Sequence, residues 1–282
     1  MSKSKNLSIK IKGTLLDFNT PKVMGIINAT PDSFYNQSRK LYVDDAIQQA
    51  EKMLQDGATI LDIGGYSSRP GADHVNEKEE LERVLPIIDQ ISSQFPEAIL
   101  SIDTFRSEVA RQSIQAGAGI INDISGGKLD AKMYQTVADL DVPYIMMHMR
   151  GTPQTMQTLT DYPNGVTHEV MKYFSERRIE FIKSGAVDLI IDPGFGFAKT
   201  LDQNYELLRE MSTLQALDCP ILVGVSRKSM ITKKLNIEAK DALNGTTVIN
   251  TIALQQGGNI LRVHDVKEAA ECVKLFSETV LF

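Results

Sequence analysis

The sequence predicts one α/β domain over residues 1–282, a (β/α)8 TIM barrel preceded by a short β-hairpin at about residues 7–17. Three observations point there. Aliphatic runs alternate with stretches of helical periodicity eight times along the chain. The length of 282 residues suits one barrel, which takes about 250. A polar side chain stands at or just past the end of each aliphatic run. A doubly wound open sheet shares the same alternation and stays open as the competing layout.

Taken in order, residues 7–11 and 14–17 read as two strands joined at Lys12-Gly13, a hairpin suited to plugging or capping the barrel. Barrel strands are expected at 23–27, 59–63, 99–102, 119–121, 143–147, 189–191, 221–225 and 260–263. Their aliphatic content is that of parallel strands covered on both faces. Between them, Ile47, Ala50 and Leu54 recur at helical spacing, as do Leu81, Val84, Leu85, Ile88 and Ile91. Connections 29–42, 64–78 and 148–165 exceed the usual 2–6 residues. Each follows a strand, so in a barrel all three rim the C-terminal face, where barrels keep their active sites.

Composition narrows the function classes. With 42% hydrophobic and 23% charged residues the chain is an ordinary globular protein. Its net charge of −6 and pI near 5.3 argue against a general nucleic-acid surface. Cys219 and Cys272 form no metal-ligand pattern and suit a reducing compartment. The N-terminus has no apolar run long enough for a signal peptide, and no segment reaches the roughly 18 apolar residues of a membrane span. A cytoplasmic location is expected, with no nucleic-acid or membrane partner.

The polar residues at the strand ends are Asn28, Asp62, Asp103, Asn122, His148, Asp192, Ser226 with Lys228, and His264. A barrel gathers all of them around one cup. Asp62, followed by Gly64-Gly65, is expected to be structural, orienting its own loop. Asp103, Asn122 and Asp192 suit a flat heterocycle with adjacent N–H groups, because a carboxylate accepts paired donors. Arg69, Arg227, Lys228, Arg262 and His264 add cations where barrels often hold phosphate. The loop Pro193-Gly194-Phe195-Gly196-Phe197 beside Asp192 adds aromatic surface. Met146, Met147 and Met149 read as core filler before ligand contacts, His148 as a packed rim histidine, and Arg227 as an ion-pair partner. His74 and His168 read as surface residues, and Asp32-Ser33 as either loop chemistry or a helix cap.

Eight motifs in order make the chain resemble the dihydropteroate synthases. They are Met24-Gly25-Ile26-Ile27-Asn28-Ala29-Thr30-Pro31-Asp32-Ser33-Phe34, Gly64-Gly65-Tyr66-Ser67-Ser68-Arg69-Pro70-Gly71, Ser101-Ile102-Asp103-Thr104, Ile121-Asn122-Asp123, Met147-His148-Met149, Asp192 through Lys199, Gly224 through Ser229, and Arg262-Val263-His264-Asp265. The resemblance implies condensation of 6-hydroxymethyl-7,8-dihydropterin pyrophosphate with p-aminobenzoate to give 7,8-dihydropteroate and pyrophosphate. It also implies C–O cleavage ahead of amine attack, membership of a family that is a sulfonamide target, and a homodimer built through the late barrel helices.

By the same resemblance, Asp192 and Asn122 bind the pterin edge, Asp103 meets the ring from the other side, and Lys228 reaches its O4/N5 side. Arg262 stacks on the pterin and, with His264, Asn28 and Arg69, holds the pyrophosphate; the metal is Mg²⁺ at Asn28. Ser68, Arg69, Pro70, Phe197, Ser226 and Met147 complete the substrate-binding set, with Ser226 at the aminobenzoate carboxylate. Asp103, Lys228, Arg262 and Asp192 form the catalytic group. The chain departs from the family pattern at Tyr66, where glutamate is common, and at Ser68, where threonine is. Tyr66 removes a carboxylate that would anchor the second loop. Other readings remain: a methyl-folate methyltransferase domain, a non-catalytic pterin-binding relative, and a barrel aldolase with Lys228 as Schiff base.

Overall fold

The computed structural model describes residues 7–29, 36–66 and 75–279, with the side chains of 36–41 undescribed. The hairpin forms as the sequence predicts, from β1 (Ser8–Ile11) and β2 (Thr14–Asp17). Lys12 and Gly13 both take positive φ, 48° and 83°, the requirement of a type I′ turn that matches strand twist.

Eight parallel strands follow: β3 (Lys22–Asn28), β4 (Ile60–Gly64), β5 (Ile99–Asp103), β6 (Ile120–Asp123), β7 (Tyr144–Met147), β8 (Leu189–Asp192), β9 (Leu222–Val223) and β10 (Ile260–Val263). Their order is β8-β7-β6-β5-β4-β3-β10-β9. A parallel bridge between Ile191 and Ile221 joins the two ends of that order and excludes the open-sheet layout. β9 is shorter than the expected 221–225, because the chain leaves the sheet for a turn in which Lys228 N–H donates to Val225 O at 3.1 Å.

Helices α1 (Asn36–Gln55), α2 (Glu77–Gln94), α3 (Ser107–Gln115), α4 (Met133–Leu140), α5 (Val166–Lys183) and α6 (Leu201–Glu210) alternate with the strands. After β9 come two helices, α7 (Ser229–Leu235) and α8 (Leu243–Gln255), and α9 (Val266–Thr279) follows β10. The described residues thus carry an extra helix relative to the expected eight. The first connection is also shorter than 29–42, since α1 already begins at Asn36. The third, 148–165, carries a 3-10 turn at Met156–Thr158. Among the described residues no helix is long and apolar enough to cross a membrane.

Two cores result from the alternation of strand side chains. Outward residues such as Ile27, Leu61, Ile63, Ile121 and Ile191 pack against the helices. Inward residues Met24, Ile60, Ile120, Ile145, Ile190, Leu222 and Ile260 form a dry layer closed from below by Ile9, Ile11 and Phe18. The hairpin is therefore a plug at the N-terminal end of the barrel, opposite the strand tips.

Candidate active site

The layer above the plug is polar. Two residues beyond an inward isoleucine the chain faces the barrel axis again, which brings in Asp62 after Ile60, Asn122 after Ile120, Asp192 after Ile190 and Arg262 after Ile260. Asn28 and Asp103 stand one step higher, both in register with Gly64. Asn28, Asp103 and Asp192 are thus the last residues of their strands, while Arg262 lies within β10.

Arg262 organises this layer. Its Nε donates to Asp62 Oδ2 at 2.6 Å and its Nη2 to Asp103 Oδ2 at 2.7 Å. Asn122 Nδ2 donates to the same Asp62 oxygen at 3.0 Å. Asp62 is fully buried, and its Oδ1 has no hydrogen-bond partner among the described residues. The expectation that Asp62 orients its own loop is corrected here. It lies inside β4 and fixes the side chains of Arg262 and Asn122, partners far away in the chain that sequence reasoning could not pair with it.

Asp192 Oδ1 accepts the Gly194 N–H at 2.8 Å, an Asx turn that fixes the carboxylate at the mouth. Lys228 Nζ donates to Phe195 O at 2.7 Å and stands 4.8 Å from the centre of the Phe197 ring. Met147 shares a small apolar cluster with Ile124, Met149, Met156 and Ala198, and Phe197 packs on it. Ser226 Oγ lies 3.1 Å from His264 Nδ1 and accepts the His264 N–H at 3.2 Å, so those two residues hold each other. Arg227 is the expected ion-pair partner, bound to both oxygens of Asp265 at 2.9 and 2.6 Å. His148 is buried and His168 exposed, as expected.

Charges in this cup are shifted by burial. Asp103 is pushed up from 3.8 to about 7; the pull of Arg262 opposes the rise, and the carboxylates of Asp62, Glu80 and Asp123 add to it. Lys228 is lowered from 10.5 to about 8, with Asp192 opposing the fall and Arg262 adding to it. Asp192 is raised by burial against the pull of Lys228. Burial works against the Arg262 cation too, but Asp62 and Asp103 outweigh it and raise the guanidinium further.

Asp103, Asn122, Asp192, Ser226, Lys228, Arg262, His264, Phe197, Met147 and Asn28 all belong to the C-terminal end of the barrel. Ser68, Arg69 and Pro70 lie outside the described residues, as do Asp32, Ser33 and His74. At the start of that second loop, the Tyr66 ring meets Phe105 edge-on at 5.1 Å, with the Arg106 guanidinium 5.5 Å away. Gln154 Nε2 donates to the Tyr66 hydroxyl at 3.2 Å. An aromatic cluster thus occupies the place where the family pattern has a carboxylate.

A family model described as pterin binding enzyme matches residues 24–264. The chain belongs to the dihydropteroate synthase family of pterin-binding enzymes. It is 42% identical over 275 residues to the dihydropteroate synthase of Escherichia coli K12, covering 95% of each chain. The crystal structure of Yersinia pestis dihydropteroate synthase with a sulfonamide drug has a TM-score of 0.90 at 39% identity, over 97% of this chain and 99% of that one. Xanthomonas albilineans dihydropteroate synthase with 4-aminobenzoic acid gives 0.89 at 36% identity, over 98% of each. As a dihydropteroate synthase family member the chain is a transferase of folate biosynthesis, and the methyltransferase and aldolase readings fall away.

Proposed function

We infer that the chain condenses 6-hydroxymethyl-7,8-dihydropterin pyrophosphate with p-aminobenzoate, releasing pyrophosphate and 7,8-dihydropteroate. The observation that carries this reading is the ring of buried hydrogen-bonding groups around Arg262: Asp62, Asp103, Asn122 and, at the same mouth, Asp192 and Lys228. Asp192 accepts two N–H donors of the aminopyrimidine edge. Asn122, whose amide N–H is taken by Asp62, offers its carbonyl oxygen beside it. Arg262 lays a planar cation against the ring, which a lysine could not do.

Asp103 bonds the opposite side of the ring. As the C–O bond to pyrophosphate breaks, positive charge spreads over the pterin, and the Asp103 anion offsets it. Lys228 bonds the O4/N5 side of the pterin, and its alkyl stem with Phe197 and Pro70 sandwiches the aminobenzoate ring. Met147 lies under Phe197 as the apolar floor of that subsite. Ser226 takes the carboxylate. The amine nitrogen of p-aminobenzoate attacks the exocyclic carbon, so no protein nucleophile is needed. Arg262, His264, Asn28 and the family-matched Arg69 hold the diphosphate, and Ser68 lies in the same loop as Arg69 and Pro70.

Among the described residues no group of three or more His, Cys, Asp or Glu side chains could cage a metal. Asn28, exposed at the rim, is a neutral oxygen donor of the kind that suits Mg²⁺ held mainly by phosphate oxygens and water. Bound there, Mg²⁺ would neutralise charge on the departing pyrophosphate. We further read the chain as one domain, cytoplasmic, and paired as a homodimer through α7, α8 and α9, whose Leu235, Val248 and Leu275 are exposed. The direct test is pyrophosphate release by the purified protein with both substrates and Mg²⁺. Pyrophosphate release without formation of 7,8-dihydropteroate when both substrates are present, or no release, overturns the reading.

A further inference from the structure

Behind the turn that follows β8 lies a lysine that the reaction above does not use. Lys199 is 5% exposed and His148 is 2% exposed. Lys199 Nζ lies 3.0 Å from His148 Nδ1 and donates to Gly194 O at 2.9 Å and Phe197 O at 3.0 Å. Three acceptors match the three donors of an ammonium, and none of these acceptors is a carboxylate. Burial is the first cause that lowers the His148 pKa well below 6.5, with the Lys199 charge next. The imidazole is therefore neutral, and with the Lys199 ammonium as donor its Nδ1 accepts, which leaves the ring proton on Nε2.

We infer that Lys199, with His148, is a positioning residue that clamps the 194–197 turn so that the Phe195 carbonyl and the Phe197 ring meet Lys228 and the incoming aryl amine. The clamp has little slack. Gly194 takes φ +71°, and a Cβ there would stand 2.1 Å from His148 O. The His148 N–H donates to Asp192 O at 2.9 Å, so the end of β7 is tied to the tip of β8. On the other side of the turn, the Gly196 N–H donates to Asn204 Oδ1 at 2.6 Å, and Asn204 is itself buried. Lys199 holds the carbonyls of the turn and Asn204 holds an amide. Between those anchors sit the two groups that contact Lys228: Phe195 O at 2.7 Å and the Phe197 ring at 4.8 Å.

Burial lowers the Lys199 amine to about 7, with the Asp192 charge opposing the fall, and no carboxylate bonds it directly, so hydrogen bonds must replace its hydration. Here the replacement bonds all reach one turn and the strand it packs on, so the lysine acts on the shape of that turn. The role rests on the proposed condensation, since it concerns the aryl amine's subsite. It assigns Lys199 no contact with substrate.

The test is steady-state kinetics of Lys199→Met, which keeps the aliphatic stem and removes the three donors. The KM for p-aminobenzoate should rise about tenfold, the worth of one charge-assisted hydrogen bond. The dissociation constant for the pterin pyrophosphate, by calorimetry, should stay within about threefold. Wild-type protein run alongside separates the two claims, because inactive wild type refutes the condensation itself. An active wild type and an unchanged KM in Lys199→Met refute the clamp alone, and so does an equal rise in both constants. If Lys199→Met does not fold, His148→Leu takes its place. His148→Leu should raise the same KM, and His148→Asn, which returns an acceptor near the position of Nδ1, should recover most of the loss. Equal KM values for the two His148 variants overturn the inference.

Discussion

The two ends of the barrel come from the same strands and the same alternation, yet they differ in kind. At the N-terminal end, Ile60, Ile120, Ile190 and Ile260 meet the hairpin in one buried apolar cluster. Two residues further along the same strands, Asp62, Asn122, Asp192 and Arg262 face the same axis. A displacement of two strand residues, about 7 Å, exchanges dispersion contacts for buried charge. The dry end supplies stability without geometric demands on ligand. The polar end holds ionisable groups at a cost in stability, since burial raises Asp103 and Asp192 and lowers Lys228.

Adjacent inward residues of β8 test that division most directly. Ile190→Ala leaves a cavity against the plug and should cost about 2–5 kcal/mol. Urea unfolding would read the loss, while kcat per folded molecule should stay unchanged. Asp192→Asn should do the reverse. Its paired acceptor becomes part donor, and pterin affinity should fall about a hundredfold, the worth of a pair of bonds to a charged group. Its stability should not fall. The folded-state pKa of Asp192 is raised, so the fold disfavours its ionised form at every pH above the unfolded value, and a neutral amide removes that penalty. An Ile190→Ala enzyme that is stable but inactive, or an Asp192→Asn enzyme that unfolds, would erase the distinction between the two ends.

The dry end was the more legible in the sequence. Short aliphatic runs and a Lys12-Gly13 turn are local signals, and they predict the hairpin and the strands to within a few residues. The polar tips were legible as a set because a barrel gathers whatever follows its strands. What escaped was pairwise. Asp62 reads as an ordinary residue before Gly64-Gly65, and only the closed barrel brings it against Arg262, 200 residues away. Lys199 reads as the tail of a Gly/Phe loop, and nothing local marks it as buried. The short β9 and the extra α7 were also hidden, since the aliphatic run 221–225 continues past the point where the backbone turns away.

The polar end should also set the pH dependence. Asp103 must be an anion to offset charge on the pterin, and burial pushes its carboxyl up to about 7. Below that value kcat/KM should fall about tenfold per pH unit. Lys228 must be a cation and titrates at about 8, so a second fall should begin above it. The profile would be a narrow bell belonging to the coupled groups of the cup. Asp103→Asn should flatten the acid limb, and an acid limb that survives in that variant assigns it elsewhere. Ile190→Ala should leave both limbs in place, which separates this effect from loss of fold.

The smallest effect is expected at the rim, where neither a dry core nor buried charge operates. Tyr66 holds the start of the second loop through its ring, edge-on to Phe105 and near Arg106, and through its hydroxyl to Gln154. The hydroxyl contact is exposed, so Tyr66→Phe should cost no more than about 0.5 kcal/mol. Tyr66→Ala also removes an aromatic pair worth about 0.5–1.5 kcal/mol, and should lower the melting temperature visibly. If the two variants melt alike, the hydroxyl rather than the ring anchors the loop. In that case the tyrosine would do through a polar tip what a carboxylate at this position would do, and the departure from the family pattern would be chemical in appearance only. If they differ as expected, this chain has exchanged a charged anchor for an apolar one, and the rim borrows the physics of the plug.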